Sequence, residues 1–238
     1  SSPATQAQEF RFVDSELVIF TKKLLPYFHA HKMLYECFKN MKVEKSVDIA
    51  KLSNSNFVSN DKFDNWIINM TNKLQIDIDN HVKKLELYKI PDSIFSYMDS
   101  LTNVWVKFSR DRLKNNNTLE DTVNSINTLY SVLTKVNIVL SPFMPFNTDL
   151  LYHYIKWISR LNTDSINFES IHLLITNDVE TYDSNVIESL DNVYNIIEII
   201  RSARQDMKEQ FNRPTNSPIR TTEIYLPNIY KDKIDSYF

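Results

Sequence analysis

Asn103, Lys107, Arg110 and Lys114 recur at i, i+4, i+7 and i+11, a spacing that puts all four on one face of an α-helix. An amide followed by three cations could meet a row of anionic groups, phosphates among them. A charge run of this kind is usually a solvated face, so the stripe alone assigns no role. Leu101, Trp105 and Phe108 also fall at helical spacing and predict a buried face on the same helix.

Other chemistry is easier to list than to assemble. Ser, His and Asp are plentiful, but no nucleophile-elbow or metal-ligand spacing occurs. His29 and His31 lie two apart, so on a helix they point roughly 200° from each other and cannot readily share an ion. His81, His153 and His172 are scattered, and no metal site is expected. Cys37 is the only cysteine, which excludes an internal disulfide and a multi-Cys zinc site. Glycine is absent. Loops that cradle phosphates need it for positive φ and close backbone approach, so neither a dinucleotide fingerprint nor a P-loop is present.

The net charge of −3 argues against holding nucleic acid by bulk attraction; any RNA contact would be local. No window holds about eighteen uninterrupted apolar residues, so no membrane span is expected. The first ten residues lack the apolar core of a signal peptide. A reduced, intracellular and cytoplasmic setting fits. Hydrophobic residues make up 42% of 238, enough for one large domain or one domain with an appendage.

The elements that must position the stripe are mostly helical. Asp14 or Ser15 could cap a helix carrying Leu17, Phe20, Leu24, Leu25, Phe28 and Leu34, with a kink expected at Pro26. Residues 41–60 read as a polar linker. A second helix runs from Asp61 to Leu87 with Trp66 as a core anchor. Pro91 suits the first turn of a third helix, which continues to the stripe. Thr118 with Asp121 makes a capping start for a fourth, and a fifth spans Thr148 to Ile158. Short connections predict an antiparallel helical bundle. Asn40, Asn115 to Asn117 and Asn162 could replace glycine at helix ends. Beyond it, Ser170–Ile175, a helix from about Asp183 to Phe211, and Thr222–Leu226 read as strand, helix, strand: a small α+β appendage.

Certain motifs carry a resemblance. Leu101-Thr102-Asn103, Trp105, Lys107, Arg110, Arg112 and Leu113 precede Ser141-Pro142-Phe143-Met144-Pro145-Phe146 and Asp149. Together they resemble the signature of the anticodon-binding domain of class I aminoacyl-tRNA synthetases, in the isoleucyl branch of eukaryotic type. LLPYFHAHKML, Phe63-Asp64-Asn65-Trp66-Ile67, SIHLLI and IRSARQ extend the likeness over nearly the whole chain. The departures are Val104-Trp105 for a Trp-Tyr pair, Lys107 for Arg, Asn65 for Arg and Asp149 for Glu. The likeness implies a mainly α fold. It also implies three parts: a junction from a catalytic domain (1–13), the bundle (14–162) and the α+β unit (163–238). The synthetases' two nucleotide-binding signatures, His-x-Gly-His and Lys-Met-Ser-Lys-Ser, are absent. The resemblance therefore implies a portion without its catalytic domain and without a cofactor of its own, from a parent that uses ATP with Mg. Asn103, Lys107, Arg110, Arg112 and Lys114 would be tRNA-binding, with the cations on phosphates and exposed aromatics on unpaired bases. The rival expectations are a helical protein–protein scaffold, or the equivalent valyl or leucyl domain.

Overall fold

The computed structural model describes residues 14–45, 59–114, 118–159, 170–173 and 181–211. Its helices are α1 (Asp14–Lys45), α2 (Lys62–Lys83), α3 (Ile90–Asp99), the short α4 (Val106–Phe108) and α5 (Arg110–Leu113), α6 (Leu119–Leu140), α7 (Pro145–Ser159) and α8 (Ser184–Phe211). The chain forms two compact units, Ser1–Tyr182 and Asp183–Phe238. In the first, α6 is the central rod. Fourteen of its 22 residues are buried, which only a helix surrounded on most sides can sustain. Helices α1, α2, α5 and α7 pack around it, and α3 lies against α1 and α2.

The directions follow from pairs of touching residues. Tyr27 meets Asn137 and Phe38 meets Tyr130, so α1 and α6 run antiparallel. Thr71 meets Tyr97 and Asp64 meets Trp105, so α2 opposes the chain that continues α3. This is the expected antiparallel bundle.

Local chemistry explains the helix ends. Asp61 caps α2 by accepting from the N–H groups of Phe63 and Asp64, and Thr118 caps α6 by accepting from that of Asp121. Pro91 sits in the first turn of α3, where its missing N–H costs nothing. Helix α1 continues through Pro26 as a single helix.

Several expectations need correction. The buried side of α1 is Tyr27, Ala30, His31, Leu34, Cys37, Phe38 and Met41, whereas Leu25 is 48% exposed. Asn40 lies inside α1, not at its end, and α1 extends to Lys45, into the expected linker. Ile171–Leu173 is a 3-10 turn instead of a strand. The reason is Asp149, whose Oδ1 accepts from the Ser170 hydroxyl and the Ile171 N–H at 2.9 Å each, curling the segment onto α7. Burial pushes the Asp149 carboxyl up, but these two donors and nearby His153 hold it below the ordinary value. The second unit's described helix is α8. Residues 1–13, 46–58, Asn115 to Asn117, Asn162 and the Thr222–Leu226 strand lie outside the described residues.

Leu85 shows what a chain without glycine does at a helix end. The Glu86 N–H reaches the His81 carbonyl and the Leu85 N–H reaches that of Val82, a Schellman closure. Leu85 therefore takes φ 57°, the left-handed region glycine favours. Its side chain is 83% exposed, so it contributes little packing in return. The conformation costs about 1–2 kcal/mol, while glycine would add roughly 0.4–1 kcal/mol of unfolded-state entropy. Leu85→Gly should therefore stabilise the fold by roughly 0.5–1 kcal/mol, read as a raised urea midpoint. An unchanged or lowered midpoint would contradict this.

His31 holds α1 to α6. Its Nδ1–H donates to the Tyr27 carbonyl at 2.9 Å, so Nε2 is left to accept from Asn137 Nδ2 at 3.1 Å. The Asn137 side-chain oxygen accepts in turn from the Tyr27 hydroxyl. Burial pulls the imidazole down to about 4, outweighing the two hydrogen bonds. The unfolded chain, with an ordinary value of about 6.5, binds this proton first as pH falls. The contribution is therefore fully present above about pH 6.5 and is lost on acidification towards the folded value of about 4. The loss amounts to about 3 kcal/mol at the acid end. Urea midpoints across that range should fall for the natural chain and flatten in His31→Gln; equal slopes would exclude His31 as the cause.

Candidate nucleic-acid interface

The stripe grows out of an irregular helix. Between α3 and α4, Ser100–Trp105 is a π-helical turn, closed by the Val106 N–H on the Leu101 carbonyl. Two hydroxyls favour the wider turn: Ser100 donates to the Ser96 carbonyl and Thr102 to that of Met98. One extra residue shifts the faces that follow. The chain then leaves helical geometry at Ser109 (φ −84°, ψ 4°) before α5 resumes it. Leu101 and Trp105 are fully buried as expected, but Phe108, just before that break, is 43% exposed. Its ring rests edge-on against Phe63, with centroids 6.0 Å apart.

The five candidate residues divide into two groups. Asn103, Lys107, Arg110 and Lys114 are exposed. Among the described residues, Lys107, Arg110 and Lys114 take no carboxylate partner; Asn103 donates to Asp99 at 3.1 Å. Arg112 turns the other way. Its Nη1 and Nη2 donate to the two Asp64 oxygens at 2.9 Å each, and its Nε donates to Asp121 at 2.7 Å. Asp61 stands 3.7 Å away. The Arg112 side chain is 14% exposed and that of Asp64 is sealed, so three of the guanidinium's five N–H donors are committed inside the protein.

The geometry of this pair has a cause in the helices. Asp61 and Asp64 lie at the start of α2, and Asp121 lies in the first turn of α6. Helix N-termini favour carboxylates, and the three together neutralise one planar cation by bidentate and single contacts. Burial alone would lower the Arg112 pKa, but hydrogen bonds to Asp64 and Asp121 and the Asp64 charge drive it up. Asp64 also accepts from the indole Nε1 of Trp105 at 3.1 Å and from the Ser59 hydroxyl at 3.0 Å. One carboxylate thus fixes the residues on both sides of the stripe's midpoint. Trp105 is core, as expected, and so is Trp66, 2% exposed.

Asp64 was missed in the sequence as a site residue. Its position beside Trp66 in the Phe63–Ile67 motif was the available signal. Cys37 lies close by: its thiol donates to the Leu113 carbonyl at 3.3 Å, and burial pushes it up to about 12. No group of three or more His, Cys, Asp or Glu is placed to hold a metal among the described residues. No described helix is long and apolar enough to cross a membrane.

The described residues form an α-helical bundle whose Lys107, Arg110 and Lys114 are exposed on the segment that Asp64 anchors. Residues 64–220 match the family described as the anticodon-binding domain of tRNA ligase. The chain belongs to that family. It is 30% identical over 192 residues to the isoleucine–tRNA ligase of Clostridium tetani, covering 77% of this chain and 18% of that one. With that of Tetrahymena thermophila it shares 28% over 255 residues, covering 100% of this chain and 22% of the relative. The cytoplasmic isoleucine–tRNA ligase of Schizosaccharomyces pombe is 26% identical over 231 residues, covering 96% of this chain and 21% of the relative. The chain thus spans about a fifth of the length of these curated relatives.

The two groups of residues should respond differently to truncation. Arg112→Ala strands the buried Asp64 charge and should cost about 3–5 kcal/mol of stability. Arg110→Ala, on the surface, should stay within about 0.5 kcal/mol. Chemical denaturation of both variants checks the contrast; equal effects would place Arg112 on the surface too.

Proposed function

We propose that this chain is the tRNA anticodon-binding portion of an isoleucine–tRNA ligase. The parent protein would join isoleucine to its tRNA with ATP and Mg in the cytoplasm. This portion would supply none of the bond-making groups. It would grip the anticodon stem and loop, so that binding energy far from the reaction holds the acceptor end in register. A catalytic domain elsewhere in the parent chain would be its partner.

One observation carries the reading. Within the family match, Lys107, Arg110 and Lys114 are each exposed and take no carboxylate partner among the described residues. With a net charge of −3, a local stripe is what anion binding requires. We assign these three to phosphates and Asn103 to hydrogen bonding beside them. We assign Arg112 to positioning, since three of its donors go to Asp64 and Asp121. The names of the relatives support isoleucine over valine or leucine, and the scaffold alternative is not favoured.

The test is affinity for an isoleucine-accepting tRNA against salt. Each of Lys107→Ala, Arg110→Ala and Lys114→Ala should weaken binding and reduce the salt slope by roughly 0.7 to 0.9. Non-cognate tRNA should suffer similarly, because phosphate contacts position without reading sequence. A triple variant that folds by circular dichroism and keeps its affinity and slope would remove the stripe from the interface.

A further inference from the structure

The turn between α2 and α3 puts large apolar side chains into water. Leu85 is almost wholly exposed, and Val82, Leu87 and Tyr88 are each about half exposed. Exposed apolar residues scattered singly are ordinary, but a run of them at one tip marks a contact surface. Leu85 adds a second observation. It holds the left-handed conformation at φ 57°, and within this chain its side chain gains almost no packing in return. Asn tolerates that conformation better and occurs throughout the sequence, yet Leu stands here. A strained and exposed leucine is accounted for when something beyond these residues buries its side chain.

The tip lies at the end of the bundle where α1 begins. Helices α2 and α6 run parallel: Asp64 and Asp121 both meet Arg112, and further along Asn72 accepts from Lys135 at 2.7 Å. With α1 antiparallel to α6 and α3 antiparallel to α2, α1 and α3 run parallel. Lys23 of α1 stands over the Phe95 ring of α3, 4.6 Å from its centroid. Five residues back on each helix, Val18 is therefore close to level with Ile90, where α3 starts. The cations are at the far end, where Cys37 of α1 donates to the Leu113 carbonyl, next to Lys114. From Val18 to Cys37 the rise along α1 is roughly 28 Å.

Because α1 opens with Asp14, whatever precedes it in the parent chain joins the bundle at the end that bears the tip. The chain spans about a fifth of the length of its relatives, so a parent of their length holds a large remainder. The charges at the tip select as well. Lys83 and Lys84 are exposed, whereas Glu86 is held by Lys89 at 2.9 Å and by His81 at 3.4 Å. We propose that Val82, Leu85, Leu87 and Tyr88 dock the preceding part of the parent chain, through an apolar surface on it rimmed by carboxylates; this rests on the ligase reading above. The bundle then meets protein at one end and RNA at the other. Fixing the first end turns RNA contacts at the second into a register for the acceptor end.

Hydroxyl-radical footprinting, read by mass spectrometry, compares this chain with the whole parent protein. Leu85, Leu87 and Tyr88 should oxidise readily in this chain and be protected in the parent, with or without tRNA. The double variant Leu85→Glu with Leu87→Glu changes side chains that are exposed in this chain, so its urea midpoint here should not fall. In the parent it should raise Tyr88 oxidation to the level of the isolated chain. Isoleucylation turnover should drop by up to roughly 100-fold through lost register. Affinity for an isoleucine-accepting tRNA transcript should stay within about twofold, because the cations are distant. Equal oxidation of the tip in chain and parent, with tRNA binding intact, would overturn the docking and spare the tRNA reading. A parent that does not isoleucylate tRNA would overturn both. Protection of the tip in this chain alone that grows with concentration, or that appears only with phosphatidylserine–phosphatidylcholine vesicles, would overturn the docking too. The first would place a second copy there and the second a lipid surface.

Discussion

The Asp64 carboxylate is sealed from water, and two of the groups that satisfy it come from the irregular helix that bears the stripe. A buried carboxylate is tolerable only when its charge and lone pairs are met. Arg112 supplies charge and two donors, Trp105 a third and Ser59 a fourth. Because these donors come from residues before and after Ser109, where helical geometry lapses, the carboxylate spans the weak point of the segment. The π turn at Ser100–Trp105 would otherwise leave the orientation of Lys107, Arg110 and Lys114 underdetermined.

The arrangement divides labour between neighbouring cations. Arg112 is spent on the interior, where a planar fork matches two carboxylate oxygens and three helix-start carboxylates surround it. Arg110 and Lys107 are exposed. A buried ion pair of this kind is weak evidence for net stability, since a well-packed apolar pair could do as well. Its value here is geometric: it admits one orientation of α5 against α2 and α6.

Much of the bundle was legible because several helices carry their own punctuation. Thr118 with Asp121 and Pro91 are local signals, and the structure has both at helix starts, as expected. What was not legible depends on distant partners. Arg112 reads as one more cation of the stripe until Asp64, 48 residues away, is placed beside it. Phe108 follows the helical period on paper but lies after a π turn, which periodicity cannot register. Ile171–Leu173 has strand composition, yet the Asp149 carboxylate 22 residues earlier fixes it as a 3-10 turn. The offset of the α1 core face has the same origin: His31 is inside because Asn137 on α6 offers it a donor.

The claim that the Asp64–Arg112 pair acts on RNA binding only through orientation can be tested by Asp64→Asn. The exchange removes a negative charge and loosens Arg112, so bulk electrostatics alone would strengthen tRNA binding and steepen its salt dependence. The positioning account predicts the opposite. In the folded variant, tRNA affinity should fall while the salt slope stays that of the natural chain, because under the proposed function the same three cations would still meet phosphates. Tighter binding with a steeper slope would show Arg112 to be a phosphate ligand held in reserve, and would contradict the account.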